Sequence, residues 1–253
     1  MKIKKTLFYL LILLSISASG FTQSVDKLVL MTENYPPYNF KDNASLQGIS
    51  VDLLVLILNT LHSNQSIDNI KLLPWARGYQ NLLRMKNTCL FSTTRTKERE
   101  NLFKWVGPIS STTISLIAKK DKKIKIDSMK DLRNYRVGVI INDIGEQLMI
   151  NAGIKLKKLD RIGGVNVTHT SIKKLNKDRI DVWAYEENVA KWEIKANGFN
   201  PNEYETVYTL KKGELYYAFH IETQDALIQK VQNALDELKK DGIYQEVLNK
   251  YLK

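Results

Sequence analysis

Thr88-Cys89-Leu90-Phe91-Ser92 leads into Thr94-Arg95-Thr96-Lys97-Glu98-Arg99, and Phe103-Lys104-Trp105-Val106-Gly107-Pro108 follows. The first run is short and apolar, the pattern of a buried strand. The second places hydroxyls and two guanidinium groups where that strand ends and a short helical turn begins. Such chemistry suits a small carboxylate, because an arginine fork grips one through two parallel hydrogen bonds. Tyr35-Pro36-Pro37-Tyr38 stands upstream, an aromatic loop stiffened by two prolines. Together these stretches point to a binder of small molecules rather than a catalyst.

Outward from this segment, strand and helix patterns alternate. Leu28–Met31 is a short apolar strand. Gly48 leads into a helix with Val51, Leu54, Val55, Leu58 and Leu61 on one face, and Ser50 is placed to cap it. Ile70–Leu72 is strand-like and residues 76–86 are helical. A second unit starts near Ser111: Thr113–Lys119 is β-branched and apolar, and Tyr135–Ile141 is a strand. Asp143-Ile144-Gly145-Glu146 has the form of a capping box for a helix reaching about Ala152. Ile180–Ala184 is a strand, and a helix from about Glu186 to Ala196 ends at Asn197-Gly198. Leu227, Val231, Ala234, Leu235 and Leu238 share one face of a long helix that Gly242 stops. The rhythm predicts an α/β fold with a mostly parallel sheet.

The chain has 253 residues, enough for one large domain or two lobes with cores of their own. Lys2, Lys4 and Lys5 precede the apolar run Leu7–Ile16, and the small residues Ser17, Ala18, Ser19 and Gly20 follow it. That order predicts a secretory signal peptide over residues 1–22, cleaved between Gly20 and Gln23, and hence a periplasmic protein. The apolar run is too short to span a bilayer comfortably. Formal charge is +11, and without the three leader lysines (11 less 3) it is +8. Export and the scatter of the lysines favour a solvated basic surface over a nucleic-acid interface. Cys89 is the only cysteine, so no internal disulfide can form, and its apolar strand setting makes it a core thiol.

The ordered set of these motifs resembles the periplasmic solute-binding proteins of ABC transporters, specifically the polar amino-acid group, family 3. Tyr35–Phe40 is similar to that family's opening loop and Gly48–Leu53 to the start of its first helix. Thr94–Arg99 is similar to its carboxylate-binding segment, Met129–Leu132 to the approach to the second lobe, and Lys240–Tyr244 to its C-terminal helix pair. The resemblance covers about residues 26–252. It implies the type II two-lobed fold, in which each lobe is a central β-sheet flanked by helices and two crossing strands form a hinge. Lobe one would comprise residues 25–111 and 213–253, and lobe two residues 112–212. The crossings would lie near Ser110–Thr113 and Lys212–Tyr216, with a small polar ligand held in the cleft.

By the same resemblance, Arg99 pairs with the ligand α-carboxylate and Thr94 assists it, with Ser92 close by on the strand. Arg95 departs from the family pattern, which has an apolar residue there. Two readings stand open for it, a second anion contact or a solvent-facing side chain. Glu186 falls where the family has an aspartate for the ligand amino group; as a residue of a first helical turn it would also suit the dipole. Tyr35 and Tyr38 would wall the cleft, Trp75 and Arg77 could point into it, and Glu33 is a second candidate amine acceptor. The turn Asn142-Asp143-Ile144-Gly145 departs again. The family has a Gly/Ser/Thr-rich turn whose amides meet the carboxylate, whereas Asp143 would satisfy those amides itself and repel one.

The expected function is capture of a small polar ligand, an amino acid or related carboxylate, for delivery to an ABC permease. A sensor docking on a membrane receptor and a dehydratase-like enzyme on the same fold are the alternatives. His62, His169 and His220 are widely spaced and no metal-ligand or nucleophile signature stands out, so no catalytic residue, metal or cofactor is expected. The resemblance implies a monomer.

Overall fold

The computed structural model describes residues 23–42 and 45–252; the signal-peptide reading of residues 1–22 lies outside them. The chain opens with β1 (Val29–Thr32), then a hairpin of β2 (Phe40–Asp42) and β3 (Ser45–Gln47). Helix α1 (Ile49–Thr60), β4 (Lys71–Leu72), α2 (Trp75–Arg84) and β5 (Thr88–Thr94) follow. The long β6 (Phe103–Lys119) leads to β7 (Val137–Ile140), α3 (Ile144–Asn151), β8 (Leu159–Ile162), α4 (Val167–Asn176), β9 (Val182–Glu186) and α5 (Glu187–Ala196). A second long strand, β10 (Tyr204–His220), returns the chain to α6 (Asp225–Lys240) and α7 (Ile243–Leu252).

The main sheet runs β4-β1-β5-β10-β6-β9-β7-β8. Strands β6 and β10, 17 residues each, are antiparallel from His220 opposite Phe103 to Tyr204 opposite Lys119. At one end of this ladder β5 joins β10 over Leu215–Phe219; at the other β9 joins β6 over Ile114–Ile117. Two lobes therefore share a pair of strands, and residues 110–113 and 212–215 lie where the pair passes from one to the other. That is a hinge of continuous strands.

The outer strands are parallel, β1 with β4 and β5, and β7 with β8 and β9. The centre is antiparallel: four of the seven pairings in this sheet are parallel and three are antiparallel. A chain that crosses to a second lobe and returns beside its own outgoing strand runs opposite to it.

The α6 stripe Leu227, Val231, Ala234, Leu235 and Leu238 is buried as its spacing predicts, with α6 packed on α1 and β6. In lobe two, Leu116, Val137, Val139, Val182 and Ala184 form a core beneath Leu132 and Met149. Two local expectations are corrected. Gly48, not Ser50, is the α1 N-cap, and a Cβ there would lie 2.5 Å from the Tyr38 carbonyl oxygen. The Asp143–Glu146 capping box does not form: Glu146 reaches past Asp143 to the Asn142 amide and pairs with Arg161.

Candidate functional site

Lobe one builds its wall on the turn before β2. The Tyr35 amide bonds the Asn39 carbonyl, and the start of α1 holds the turn from below through Ile49 N–Pro37 O (3.1 Å) and Ser50 N–Tyr38 O (2.8 Å). The glycine at position 48 allows this close approach. Tyr35 and Tyr38 are both buried, ring centroids 5.5 Å apart. Ser92 takes a left-handed backbone (φ 58°) near the end of β5, and its hydroxyl bonds Ser50 at 2.7 Å and Asn39. It therefore braces the tyrosine turn from inside lobe one.

Arg99 stands beside this wall and is only 2% exposed. Its Nη1 donates to the Thr94 carbonyl at 3.2 Å and its Nη2 crosses to the lobe-two Asn142 carbonyl at 3.3 Å, while Nε has no partner. The guanidinium carbon lies 5.6 Å from the Trp75 ring centroid and 5.0 Å from that of Tyr79. Each contact contributes about 0.5–1 kcal/mol, and more when desolvated.

Lobe two answers with two turns at strand ends. After β7, Asn142 takes a left-handed backbone (φ 62°), and its carbonyl also accepts from Trp75 Nε1 at 2.9 Å. The backbone of Asn142, rather than its side chain, makes these contacts. Asp143 is buried; burial raises its carboxyl to about 6 against the opposing pull of Arg99, and its Oδ2 has no partner.

After β9, Glu186 is the N-cap of α5, its Oε2 accepting the Val189 amide at 2.7 Å. Its Oε1 receives the Tyr38 hydroxyl at 3.2 Å across the cleft, with Asn188 Nδ2 and the Thr113 amide at 3.4 Å. Burial raises this carboxyl to about 7. Tyr185 stacks on Trp183 at 4.4 Å and meets Tyr35 edge-on at 5.8 Å, leaving its hydroxyl unpartnered.

Beside these contacts lies a cavity of about 590 Å³, lined by Glu33 and Trp75 from lobe one and by Thr168, His169, Glu193 and Asn197 from lobe two. Glu193 is tied across the cleft to Asn34 Nδ2 at 2.9 Å. Among the described residues the Glu33 carboxylate accepts no hydrogen bond; burial and the neighbouring Asp143 and Glu193 push its pKa well up.

The cleft thus brings together Tyr35, Tyr38, Trp75, Thr94, Arg99, Asn142 and Glu186, with Ser92 behind them. Two candidates stand apart. Arg95 pairs with Glu100 and lies 5.7 and 5.3 Å from the Trp105 and Tyr216 rings, all within lobe one, so its fork is occupied there. Arg77 is exposed, because a residue two positions beyond Trp75 points to a different side of α2. Sequence reasoning missed Tyr185 and Glu193. Glu193 had a signal: it lies two helical turns after Glu186, on the same face of α5.

The chain matches the bacterial extracellular solute-binding proteins, family 3, over residues 28–253. The probable amino-acid-binding protein YxeM of Bacillus subtilis (strain 168) is 25% identical over 228 residues, covering 85% of this chain and 79% of that protein. An ancestral arginine-binding protein bound to arginine is 25% identical with a TM-score of 0.74, covering 91% of this chain and all (100%) of that one. A histidine kinase sensor domain similar to periplasmic binding proteins shares the fold at a TM-score of 0.77 and 18% identity, covering 90% of this chain and 97% of that chain.

Proposed function

This chain belongs to the bacterial extracellular solute-binding proteins, family 3, and from that premise we propose that it captures a small polar amine, an amino acid or a compound derived from one, by closing two lobes around it. The reading adds export through the leader over residues 1–22, action as a periplasmic monomer, and hand-over of the ligand to an ABC permease. Lobe one is assigned residues 25–111 and 213–253, and lobe two residues 112–212, hinged on β6 and β10.

The observation that carries the reading is the cross-cleft constellation of Tyr38, Arg99 and Trp75 with Asn142 and Glu186. Every member is on a different turn or strand end, so the set exists only when the lobes meet. A ligand that bridges the walls binds the closed form better than the open one and so shifts the population toward closure. Glu186 supplies a buried carboxylate for an ammonium group, the two tyrosines supply an apolar wall, and Arg99 carries the positive charge of lobe one. This is binding chemistry: the cleft residues hold and orient.

The test is thermal unfolding of the mature chain against amino acids, amines, organic acids and short peptides. A ligand at about a hundred times its Kd adds about 2.7 kcal/mol, which for a chain of this size raises Tm by about 5–10 °C. A selective shift with one amine-bearing class, reduced in Glu186→Gln, is the expected result. A flat panel, or a shift that Glu186→Gln leaves intact, would overturn the assignment.

A further inference from the structure

The cleft holds more buried carboxyl groups than an amino-acid zwitterion needs. Glu33, Asp143 and Glu193 are each 7% exposed and Glu186 is fully buried, against one buried cation, Arg99. Tyr185 is within electrostatic reach of all four carboxyl groups, and its hydroxyl, in a residue 1% exposed, has no hydrogen-bond partner. A buried phenol oxygen without a partner, among carboxylates, is an acceptor suited to an ammonium donor.

Arg99 is partly engaged, with Nε its one nitrogen that has no partner. Its two terminal nitrogens donate to the Thr94 and Asn142 carbonyls, its face is covered by Trp75 and Tyr79, and Asp143 is the anion beside it. A ligand carboxylate would have to sit next to Asp143, with which it shares a sign, and would compete with Asp143 for the same guanidinium. On the other side of the cleft, Glu33 and Glu193 face the 590 Å³ cavity from opposite lobes. That volume is in the range of small-molecule sites, and its two carboxylates mark a second position for positive charge.

We propose that the cleft takes a small dication without a carboxylate, an α,ω-diamine or its guanidino equivalent, in preference to a zwitterionic α-amino acid. One cationic end lies by Asp143, Glu186 and the Tyr185 hydroxyl, and the other between Glu33 and Glu193. Arg99 lies within electrostatic reach of Asp143 without an ion pair between them, so the four carboxyl groups are left for the ligand. The inference rests on the cleft being the capture site and specifies what it captures.

Matched pairs test it: lysine against cadaverine, and arginine against agmatine, each titrated calorimetrically into the mature protein. The amine of each pair differs from its amino acid by the carboxylate alone. The expected result is that cadaverine or agmatine binds at least about ten-fold tighter than its partner, a difference of about 1.4 kcal/mol. Asp143→Asn should narrow that gap by admitting the amino acid, and Glu33→Gln should weaken cadaverine, with circular dichroism confirming that both variants fold. Equal or tighter binding of the amino acids would overturn the dication assignment while leaving amine capture standing. Silence of all four compounds would remove this inference, and the wider panel of amines and amino acids would then decide the fate of the capture reading separately.

Discussion

At the scale of single residues, Asp143 and Glu186 are carboxyl groups buried at a cost to stability. Burial raises their carboxyls to about 6 and about 7 from ordinary values of 3.8 and 4.5. From about pH 4 to about pH 7 the folded chain therefore holds protons that the unfolded chain has released, and stability falls as pH rises through that window. Glu33 and Glu193 are shifted in the same direction by burial and add to the trend. Asp143 alone accounts for about 2–3 kcal/mol of the decline. Urea midpoints of the free protein should drop between about pH 4.5 and 7.5, and Asp143→Asn should flatten part of the slope and raise the midpoint at neutral pH. An unchanged slope in that variant would mean that Asp143 is not buried in its charged form. The sequence carried this residue as a departure from a family turn, and the repulsion it implied follows from charge alone. It offered Glu33 as an amine acceptor but could not supply Tyr185, and only the tertiary fold brings these two within electrostatic reach of Asp143.

Among the elements, helix α3 does the most with the least length. Its N-terminus presents Asn142 and Asp143 to lobe one, and it lies close on β9, where a Cβ at Gly145 would meet the Ala184 carbonyl. Gly145→Ala should force α3 outward, cost about 1–3 kcal/mol in chemical denaturation and weaken ligand binding at the same time. Stability equal to wild type would show that the helix has room to shift. Helices such as α6 were legible because one face is buried and the other is wet, which writes a 3.6-residue period into the sequence. Strand β10 was not: its stretch Glu205–Glu214 is half-buried or exposed along its length, and without contrast between faces no period of two emerges. The polar run Lys211-Lys212-Gly213-Glu214 pairs with Ser111–Ile114, about 100 residues away in sequence, so no local pattern marks it as a strand.

For the whole molecule, the proposed capture makes affinity depend on the balance between open and closed lobes. The bonds Trp75 Nε1–Asn142 O, Arg99 Nη2–Asn142 O, Tyr38 Oη–Glu186 Oε1 and Asn34 Nδ2–Glu193 Oε1 all join one lobe to the other. Trp75→Phe keeps the aromatic face and removes one of the four. The loss of about 0.5–1.5 kcal/mol of closing energy should enlarge the radius of gyration of the free protein in small-angle scattering and weaken binding by up to about ten-fold. Identical scattering curves would place that bond outside the closure equilibrium. The two-lobed plan itself was legible from the order of motifs along the chain. The seam between lobes was only partly so, because it depends on how far each lobe rotates toward the other, which no local pattern records.

The route of the chain through the sheet also fixes a timetable. Strands β7, β8 and β9 and helices α3 to α5 all lie between the outgoing β6 and the returning β10, so lobe two is an unbroken stretch. Lobe one is split around it: β5 must wait for Leu215–Phe219 before it has its second neighbour, and α1 must wait for α6. As the polypeptide is made, the Asp143 and Glu186 turns are complete while the lobe that carries Arg99 still lacks the middle of its sheet. The stretch from Leu215 through α6 is what turns two half-walls into a cleft.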